Sequence, residues 1–538
     1  MTEIQNGEPA PWWRGAVIYQ VYPRSFADAN GDGVGDLQGI IAKLDYIAGL
    51  GVDGVWISPF FVSPMKDFGY DVSDYRDVDP QFGTLGDFDT LLSRAHDLGL
   101  KVIIDQVWSH TSDQHAWFKE SAASRDGPKS DWYVWADAKV DGSPPNNWQA
   151  AFGGPSWTWN AQRRQYYLHN FLREQPDLNY WTPQVQDAIL DVARFWLDRG
   201  VDGFRLDVIN FIVHDDQLRD NPAIQRKSAA PTTTRFQAHV FDRSRPEALA
   251  FLARLRALMD THPGSMTVGE VVDEPALSRQ IEYTATPDRL DTAYSFHLLH
   301  ARRGDAALFA EALQAWDGAT GWPSWSLGNH DAERFPSRLS PAGDPKQARI
   351  LMAVLMCLRG TIFLYQGEEL GLPQAHVPFE QLRDPFAINA YVGGSGRDGA
   401  RTPMPWTCDG PSAGFSTTAD TWLPVDETHR PLAVTTQENL PTSMLRFTRE
   451  LIGLRALFEA LRIGTAAVLP APPGVLAFSR VQGSERLLCL FELEGKAAVI
   501  RVPQGSFMVT GFEGGEIVVA GVVHLPAYGG AILQVAAE

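Results

Sequence analysis

Residues 201–210 of the chain read VDGFRLDVIN, and this stretch decides the fold. It follows Gly200, which suits the left-handed cap of a helix, and predicts a short apolar strand that ends on the carboxylate of Asp207. An Asp at the C-terminal end of a buried parallel strand lies where barrel enzymes carry their catalytic groups. Arg205 lies on the same face of the strand and can keep that carboxylate ionised. Without further evidence, Asp207 could equally be a helix cap or a salt-bridge partner.

Strands and helices alternate on both sides of this stretch, in units of roughly 40 residues that are typical of parallel βαβ units. Eight such strands predict an α/β protein whose core is a (β/α)8 TIM barrel. The predicted strands are 15–22, 52–58, 101–107, 201–206, 266–270, 289–295, 321–328 and 361–365, and the predicted helices are 37–50, 88–98, 182–197, 247–261 and 346–358.

Two regions interrupt or follow this alternation. Residues 109–179 are rich in Trp, Gly, Pro and Asp and too long for an unstructured loop, so they predict a small inserted domain. From residue 464 to 538 short alternating apolar segments predict an antiparallel β-sandwich. The barrel is therefore expected to comprise residues 1–108 and 180–463.

Composition excludes several classes of function. The 46 basic residues against 65 acidic ones give a net charge of −19 with no basic stripe, which argues against nucleic acid and against anionic membrane surfaces. No window of about 20 apolar residues could span a bilayer, and residues 1–15 do not resemble a signal peptide. Cys357, Cys408 and Cys489 have no metal-ligand spacing and suit a reducing compartment. We expect a cytoplasmic protein.

An Asp-rich loop between the first strand and the first helix predicts a cation site. Side-chain or backbone oxygens recur at alternate positions with a Gly at the bend, which is the geometry that a hard cation needs. The expected ligands of one structural Ca²⁺ (or Mg²⁺) are Asp28, Asn30, Asp32, the backbone carbonyl of Val34, and Asp36. The alternative is a turn of Asx and Gly residues without a metal.

Polar groups follow four of the predicted strands: His110, Asp207, Glu270 and the pair His330–Asp331. In a barrel these strand ends surround one cleft. Two carboxyl groups across a cleft are the arrangement that glycoside hydrolysis requires, one ionised as nucleophile and one protonated as acid. Arg205 favours the charged form of Asp207, and the apolar strand before Glu270 raises its pKa. Together with Asp67, these residues predict a retaining glycosidase or transglycosidase.

Four motifs resemble those of the α-amylase superfamily, glycoside hydrolase family 13, and the resemblance covers essentially the whole chain. The motifs are DQVWSH at 105–110, GFRLD at 203–207, VGE at 268–270 and NHD at 329–331. The resemblance implies that Asp207 is the nucleophile, Glu270 the general acid/base and Asp331 a stabiliser of the transition state. It further implies that His110, Arg205 and His330 bind the sugar in the first subsite.

Three further motifs resemble the oligo-1,6-glucosidase and α-glucosidase branch: DFGY at 67–70, QPDLN at 175–179 and RDGARTPMPW at 397–406. The resemblance implies that Asp67 and Arg401 form a pair that closes the cleft behind the terminal glucose, which makes the enzyme exo-acting. Tyr70 is expected under the sugar ring, with Phe152 and Phe171 on the pocket wall. The loop at 28–36 also matches the calcium site of this branch. Ser109 replaces the Asn of another amylase calcium site, where no metal is expected.

Substrate preference stays open. Val208, after the nucleophile, resembles the α-1,6-specific members, whereas the chain as a whole resembles bacterial α-glucosidases that take maltose-like substrates and transfer glucose to alcohols. One such residue changes the free energy of substrate binding by only about 1–3 kcal/mol, so Val208 alone does not decide the preference. An oligo-1,6-glucosidase and a sucrose-directed glucosidase or glucosyltransferase are the alternatives; a non-catalytic binding subunit is disfavoured because all three acids are present. The expected partners are small α-glucosides and sugar or alcohol acceptors, with acceptor residues within 213–246 and 373–400, in a monomer or homodimer.

Overall fold

The computed structural model of the protein describes residues 10–224, 237–273, 275–340, 343–389, 396–519 and 521–535. Its centre is a parallel sheet of eight strands, each followed by a helix. The strands are β1 (Val17–Val21), β2 (Gly54–Ile57), β3 (Lys101–Gln106), β4 (Gly203–Leu206), β5 (Met266–Val271), β6 (Thr292–Ser295), β7 (Ser324–Trp325) and β8 (Thr361–Tyr365). The helices are α1 (Leu37–Ala48), α2 (Leu85–Asp97), α3 (Pro183–Asp198), α4 (Ala248–Met259), α5 (Ala276–Glu282), α6 (Ala306–Ala315), α7 (Pro345–Cys357) and α8 (Met444–Leu457).

The sheet closes on itself. Its strand order is β6, β5, β4, β3, β2, β1, β8, β7, and a parallel bridge between Ala293 and Pro323 joins the two ends. The predicted (β/α)8 barrel is therefore confirmed. The strands end at the same rim, so the residues that follow them surround one cleft.

The barrel interior is filled by large side chains that point inward from several strands. Trp56, Ile103, Met266, Tyr294 and Phe363 belong to one buried cluster there. Strands β4 and β5 come so close that a Cβ at Gly203 would lie 2.3 Å from the carbonyl oxygen of Met266. This close approach requires glycine at the start of β4, and it packs β4 closely against β5.

Three smaller β structures accompany the barrel. Between β2 and α2, the strand Phe61–Val62 pairs antiparallel with the strand Asp74–Val78. Between β3 and α3, three antiparallel strands form a small sheet with Gln165–Leu168 in the middle, between Trp135–Ala136 and Trp157–Asn160. After α8, antiparallel strands form a five-stranded and a three-stranded sheet, as the predicted C-terminal β domain requires. These strands are Thr465–Val468, Val475–Gln482, Glu485–Glu492, Ala498–Arg501, Phe507–Phe512, Glu516–Val519, Val522–Leu525 and Gly530–Gln534. The boundaries at 108/109, 179/180 and 463/464 stay predictions.

The remaining helices are short and connect these elements. They are Pro23–Phe26, Ala116–Ala123, Ile209–Phe211, Phe296–Leu299, Phe335–Arg338, Phe379–Gln381, Pro385–Asn389, Asp398–Ala400, Arg430–Leu432, Val434–Glu438 and Glu459–Arg462. In the described ranges, helices fall short of the length and apolar character that crossing a bilayer demands.

Candidate active site

The three predicted catalytic carboxyl groups meet at the rim of the barrel. Asp207 directly follows β4, Glu270 is the penultimate residue of β5, and Asp331 follows β7. All three line one pocket of about 260 Å³. This volume is just below the range of about 300–1,000 Å³ that drug-sized ligands occupy, so the pocket suits a small molecule. Its other lining residues are Asp67, Tyr70, His110, Ala151, Phe152, Phe171, Gln175, Val208, Phe211, Arg243, Val272, Phe296, His300, Phe386 and Arg397.

Arg205 organises the floor of this pocket. Its fully buried guanidinium contacts Asp105 at 2.8 Å and Asp207 at 2.7 Å through Nη1. Nη2 contacts Glu270 at 2.6 Å, and the hydroxyl of Tyr294 accepts hydrogen bonds from Nε and Nη2. Asp207 and Glu270 are thus held side by side, each by a different terminal nitrogen of one planar cation.

The site favours a proton on the pair formed by Glu270 and Asp207. Burial raises the pKa of Glu270 to about 8, against the attraction of Arg205 and with the help of the negative charge on Asp207. Burial also raises the pKa of Asp207 to about 7, and Arg205 opposes this shift. Burial thus favours a proton on this pair of interacting carboxyl groups near neutral pH. A pair of carboxyl groups that holds one proton can supply both the protonated acid and the ionised nucleophile that glycoside hydrolysis needs.

Asp331 is held ionised. Burial opposes its charge, but hydrogen-bond donors and cations around it hold its pKa well below the usual range. Arg401 contacts it at 2.6 Å and Arg397 at 3.3 Å. His330 adds a contact of 3.1 Å from Nε2. Gln20 Nε2 lies 2.8 Å from the Nδ1 of this imidazole, and burial lowers the pKa of His330, so the ring is neutral and donates from Nε2.

Arg397, and not Arg401, pairs with Asp67. Arg397 Nη2 lies 2.8 Å from Asp67 Oδ1, whereas the wholly buried Arg401 donates from Nε to the carbonyl of His330 at 2.7 Å. The predicted Asp67–Arg401 pair was therefore wrong. The 3₁₀ turn Asp398–Ala400 separates the two arginines and directs only the first into the pocket. The motif RDGAR contains both residues, and its letters alone do not say which one turns inward.

The other predicted sugar-binding residues lie on or directly behind the pocket wall. The Tyr70 ring stacks on His330 at a centroid distance of 5.3 Å, and its hydroxyl lies 2.6 Å from His330 Nε2. His110 lies 5.2 Å from Phe171, and burial lowers its pKa to about 4, so it is neutral. Phe171 in turn contacts Phe152 at 5.5 Å. Arg205, His330 and Arg401 are fully buried and support the lining residues from behind.

Several lining residues were not predicted. Phe211, Arg243, Phe296, His300 and Phe386 come from loops or short helices after the strands. No motif distinguishes them from other aromatic or polar residues of the chain. The predicted acceptor regions 213–246 and 373–400 do supply Arg243, Phe386 and Arg397, while their parts at 225–236 and 390–395 lie outside the described residues.

The predicted metal loop is held together by its own side chains. Asp28 accepts hydrogen bonds from the backbone N–H groups of Gly31 and Gly33, and Asp36 accepts from three further N–H groups, one of them at the start of α1. Burial raises the pKa of Asp36, and the negative charge of Asp28 adds to this. In the described part of the chain, no group of three or more His, Cys, Asp or Glu side chains converges as a ready-made metal site.

Comparison with known proteins identifies the family. The model of the alpha amylase catalytic domain matches residues 20–464. A probable alpha-glucosidase of Rhizobium meliloti (strain 1021) is 51% identical over 503 residues, covering 91% of both chains. An oligo-1,6-glucosidase of Parageobacillus thermoglucosidasius is 37% identical over 91% of this chain and 92% of its own.

A solved structure agrees with these sequence relatives. The alpha-glucosyl transfer enzyme XgtA matches with a TM-score of 0.94 and 51% identity, over 98% of this chain and 100% of that one. Similarity at this level extends over the barrel, the inserted segment and the C-terminal sheets. The chain is therefore a glycoside hydrolase that belongs to the alpha-amylase family, glycoside hydrolase family 13, in its bacterial alpha-glucosidase and oligo-1,6-glucosidase branch.

Proposed function

We propose that the protein is a retaining, exo-acting α-glucosidase. It releases glucose from the non-reducing end of short, maltose-like α-glucosides. The observation that carries this proposal is the position of Asp207 and Glu270 on the two ends of the Arg205 guanidinium, at 2.7 and 2.6 Å. Carboxyl groups held by one guanidinium are close neighbours, and a separation of about 5–5.5 Å is the geometry of retaining enzymes.

The reaction proceeds in two displacements. Asp207 attacks C1 of the glucose unit, while Glu270 gives its proton to the glycosidic oxygen as the C1–O bond breaks. The leaving sugar departs, and glucose stays bound to Asp207 as an ester. Glu270, now ionised, takes a proton from water, whose oxygen attacks C1 and releases glucose. The ionised Asp331 faces the positive charge that develops on the sugar ring in both steps.

The exo action follows from the wall behind the pocket. Arg397 bridges Asp67 at 2.8 Å and Asp384 at 2.7 Å, and it also reaches Asp331 at 3.3 Å. A buried ion pair of this kind offers fixed donors and acceptors for the hydroxyl groups of a terminal sugar. It also blocks the extension of a chain beyond that sugar, so one glucose is released at a time.

Transfer of glucose to alcohols or sugars is part of the proposal. An acceptor hydroxyl resolves the glucosyl-enzyme in the same way as water does, because Glu270 can deprotonate either. Support comes from the likeness to XgtA, an alpha-glucosyl transfer enzyme at 51% identity. The described aromatic lining of the pocket also disfavours free water relative to an organic acceptor.

Linkage preference is the open part of the proposal. Val208 follows the nucleophile in a left-handed conformation, with φ of 33°, and lines the pocket. Its N–H donates to Glu270 Oε2 at 3.2 Å, so its side chain lies beside the leaving group. A preference for α-1,6 bonds is the second candidate, because one of the relatives is an oligo-1,6-glucosidase. A preference for sucrose is the third.

The test is glucose release from maltose, isomaltose and sucrose, measured side by side with Asp207→Asn as the blank. We expect maltose to be preferred and the variant to lose nearly all turnover. An isomaltose preference would move the enzyme to the oligo-1,6-glucosidases, and glucose release from sucrose alone would support the third candidate. More than a few per cent of activity in Asp207→Asn would overturn the assignment of the nucleophile.

We also propose a structural Ca²⁺ (or Mg²⁺) in the loop at 28–36. Support comes from the proximity of Asp28 and Asp36, whose mutual repulsion adds to the raised pKa of Asp36 and would be relieved by a cation. Asp32, the amide oxygen of Asn30 and the carbonyl of Val34 supply the remaining oxygens that such an ion prefers. A cytoplasmic location is the companion proposal, because the thiols of Cys357, Cys408 and Cys489 are free.

A further inference from the structure

Four phenylalanines follow one another along one wall of the active-site pocket. The ring of Phe386 lies 5.7 Å from that of Phe152, Phe152 lies 5.5 Å from Phe171, and Phe171 is stacked on Phe211 at 5.7 Å. Successive contacts of this length make a continuous apolar row. All four residues line the pocket, so the row borders the path that a bound disaccharide would follow.

An arginine covers a ring towards each end of this row. The guanidinium of Arg397 lies 4.9 Å from the centre of the Phe152 ring, and that of Arg243 lies 4.1 Å from the Phe211 ring. Arg397 belongs to the wall behind the terminal glucose, since it pairs with Asp67. Arg243 therefore marks the other end of the row, the end away from the Asp67–Arg397 pair.

Hydrogen bonds between three loops fix Arg243 on the side of the general acid. Asn210 Nδ2 donates to the carbonyl of Val272, two residues after Glu270, and the Val272 N–H donates back to Asn210 Oδ1. The backbone carbonyl of Asn210 also accepts a hydrogen bond from the backbone N–H of Ser244, and Asn210 Nδ2 donates to the hydroxyl of Ser244. Ser244 has a φ of 52°, an unfavourable conformation for serine. The segment that carries Arg243 is thus tied to the end of β5.

The donors of Arg243 are mostly unused within the described residues. Its side chain is only 9% exposed, yet its one hydrogen bond to a described residue is from Nη2 to Asp242 at 3.2 Å. The buried Nε has no partner there. Desolvated guanidinium donors without acceptors are unfavourable, so a ligand with hydroxyl groups at this end of the pocket would gain from them. Asp242 balances the positive charge, which suits a neutral ligand rather than an anion.

We propose that Arg243 binds the hydroxyl groups of the leaving-group sugar, and those of the acceptor when glucose is transferred. This inference rests on the proposed function and adds a specificity residue to it. Arg243 acts on the half of the substrate that differs between a disaccharide and an aryl glucoside. The glucose half is held by the Asp67–Arg397 wall and does not contact Arg243.

The test compares two substrates in Arg243→Gln. The leaving group of maltose is a sugar, whereas the leaving group of p-nitrophenyl α-glucoside is p-nitrophenol, which has no sugar hydroxyl groups. We expect kcat/KM for maltose to fall about tenfold or more, the effect of losing a charged hydrogen bond, and kcat/KM for the aryl glucoside to change less than about threefold. The ratio of transfer to hydrolysis with glucose as acceptor should fall in parallel.

Arg219→Gln is the matched control. Arg219 lies in the same loop, its guanidinium covers Phe241 at 4.4 Å, and it pairs with Asp215, but it is not a lining residue of the pocket. We expect both substrates to be turned over as by the wild type. Arg243→Lys keeps the charge and the aliphatic stem, so its kcat/KM for maltose should fall less than that of Arg243→Gln. It also provides a second variant if Arg243→Gln does not fold.

Equal losses on both substrates in folded Arg243→Gln, or an unchanged rate on maltose, would overturn the role of Arg243 and leave the α-glucosidase assignment intact. A folded wild type without activity on either glucoside would overturn the proposed function, and this inference with it.

Discussion

Arg205 influences the protonation of the pocket, because its one guanidinium group contacts the buried carboxyl groups of Asp105, Asp207 and Glu270. A single positive charge cannot compensate three negative ones in a desolvated site. One carboxyl group must therefore keep its proton near neutral pH. Burial raises the pKa of all three carboxyl groups. The acid role proposed for Glu270 agrees with this crowding of carboxyl groups around one cation.

Glu270→Gln should stabilise the folded protein, and more so at high pH. The pKa of Glu270 rises from 4.5 to about 8 on folding, so the folded state binds the proton more tightly than the unfolded one. The wild type then loses stability as pH rises from the unfolded towards the folded pKa, by an amount on the order of a few kcal/mol. Glutamine does not ionise. Melting curves at pH 6 and pH 9 should show a larger gain in Tm for the variant at pH 9; an equal gain at both values would contradict the raised pKa.

Asp67→Asn should weaken recognition of the terminal glucose. The carboxylate pairs with Arg397 at 2.8 Å and is only 5% exposed, so the variant removes a buried charge partner and an acceptor for sugar hydroxyls. We expect kcat/KM for maltose to fall by about 100-fold, the effect of roughly 3 kcal/mol. Asp74→Asn, at an exposed position of the short strand Asp74–Val78, is the control. Wild-type rates on disaccharides in Asp67→Asn would refute the closed pocket.

At the scale of elements, the strand ends were predictable and the loops were not. Asp207 and Glu270 could be predicted because a buried parallel strand places the residue at its C-terminal end on a known rim. The seventh strand was predicted at 321–328, but the strand comprises Ser324–Trp325, with a single bridge from Pro323 to Ala293 beside it. Arg397 takes the role that was predicted for Arg401, because a turn decides which of the two enters the pocket. Arg243 could not be found either, since its position depends on hydrogen bonds between distant loops.

The loop at 28–36 allows a test of the cation proposal. A cation bound only by the folded state adds to its stability, so EDTA should lower the Tm by several degrees. The loop lies outside the active-site pocket, and activity measured well below melting should change little. Asp32→Ala removes an exposed ligand candidate without removing the helix cap that Asp36 supplies to α1, and this variant should no longer respond to EDTA. An unchanged Tm of the wild type in EDTA would make the loop a plain turn.

At the scale of the molecule, buried arginines join the barrel to the C-terminal sheets. Arg480, in the strand Val475–Gln482, donates from Nη1 to the carbonyl of Cys357 at 2.6 Å and from Nη2 to that of Gly464 at 3.1 Å. Cys357 is the last residue of α7, so the cation satisfies a helix end and its negative dipole. Burial lowers the pKa of Arg480 to about 10, and it is still protonated at pH 7. The C-terminal sheets are thus needed to complete the hydrogen bonding of the barrel.

Arg480→Met should therefore destabilise the whole molecule and leave the chemistry of the active site unchanged. The variant leaves the carbonyl groups of Cys357 and Gly464 without donors, and each buried acceptor without a partner costs roughly 1–3 kcal/mol. We expect the Tm to fall by several degrees, with unchanged KM for maltose below melting. Arg501→Met, at an exposed position of the strand Ala498–Arg501 in the same domain, is the control and should melt as the wild type does. If both variants melt alike, the two domains are held together by their apolar contacts, and Arg480 only occupies the space between them.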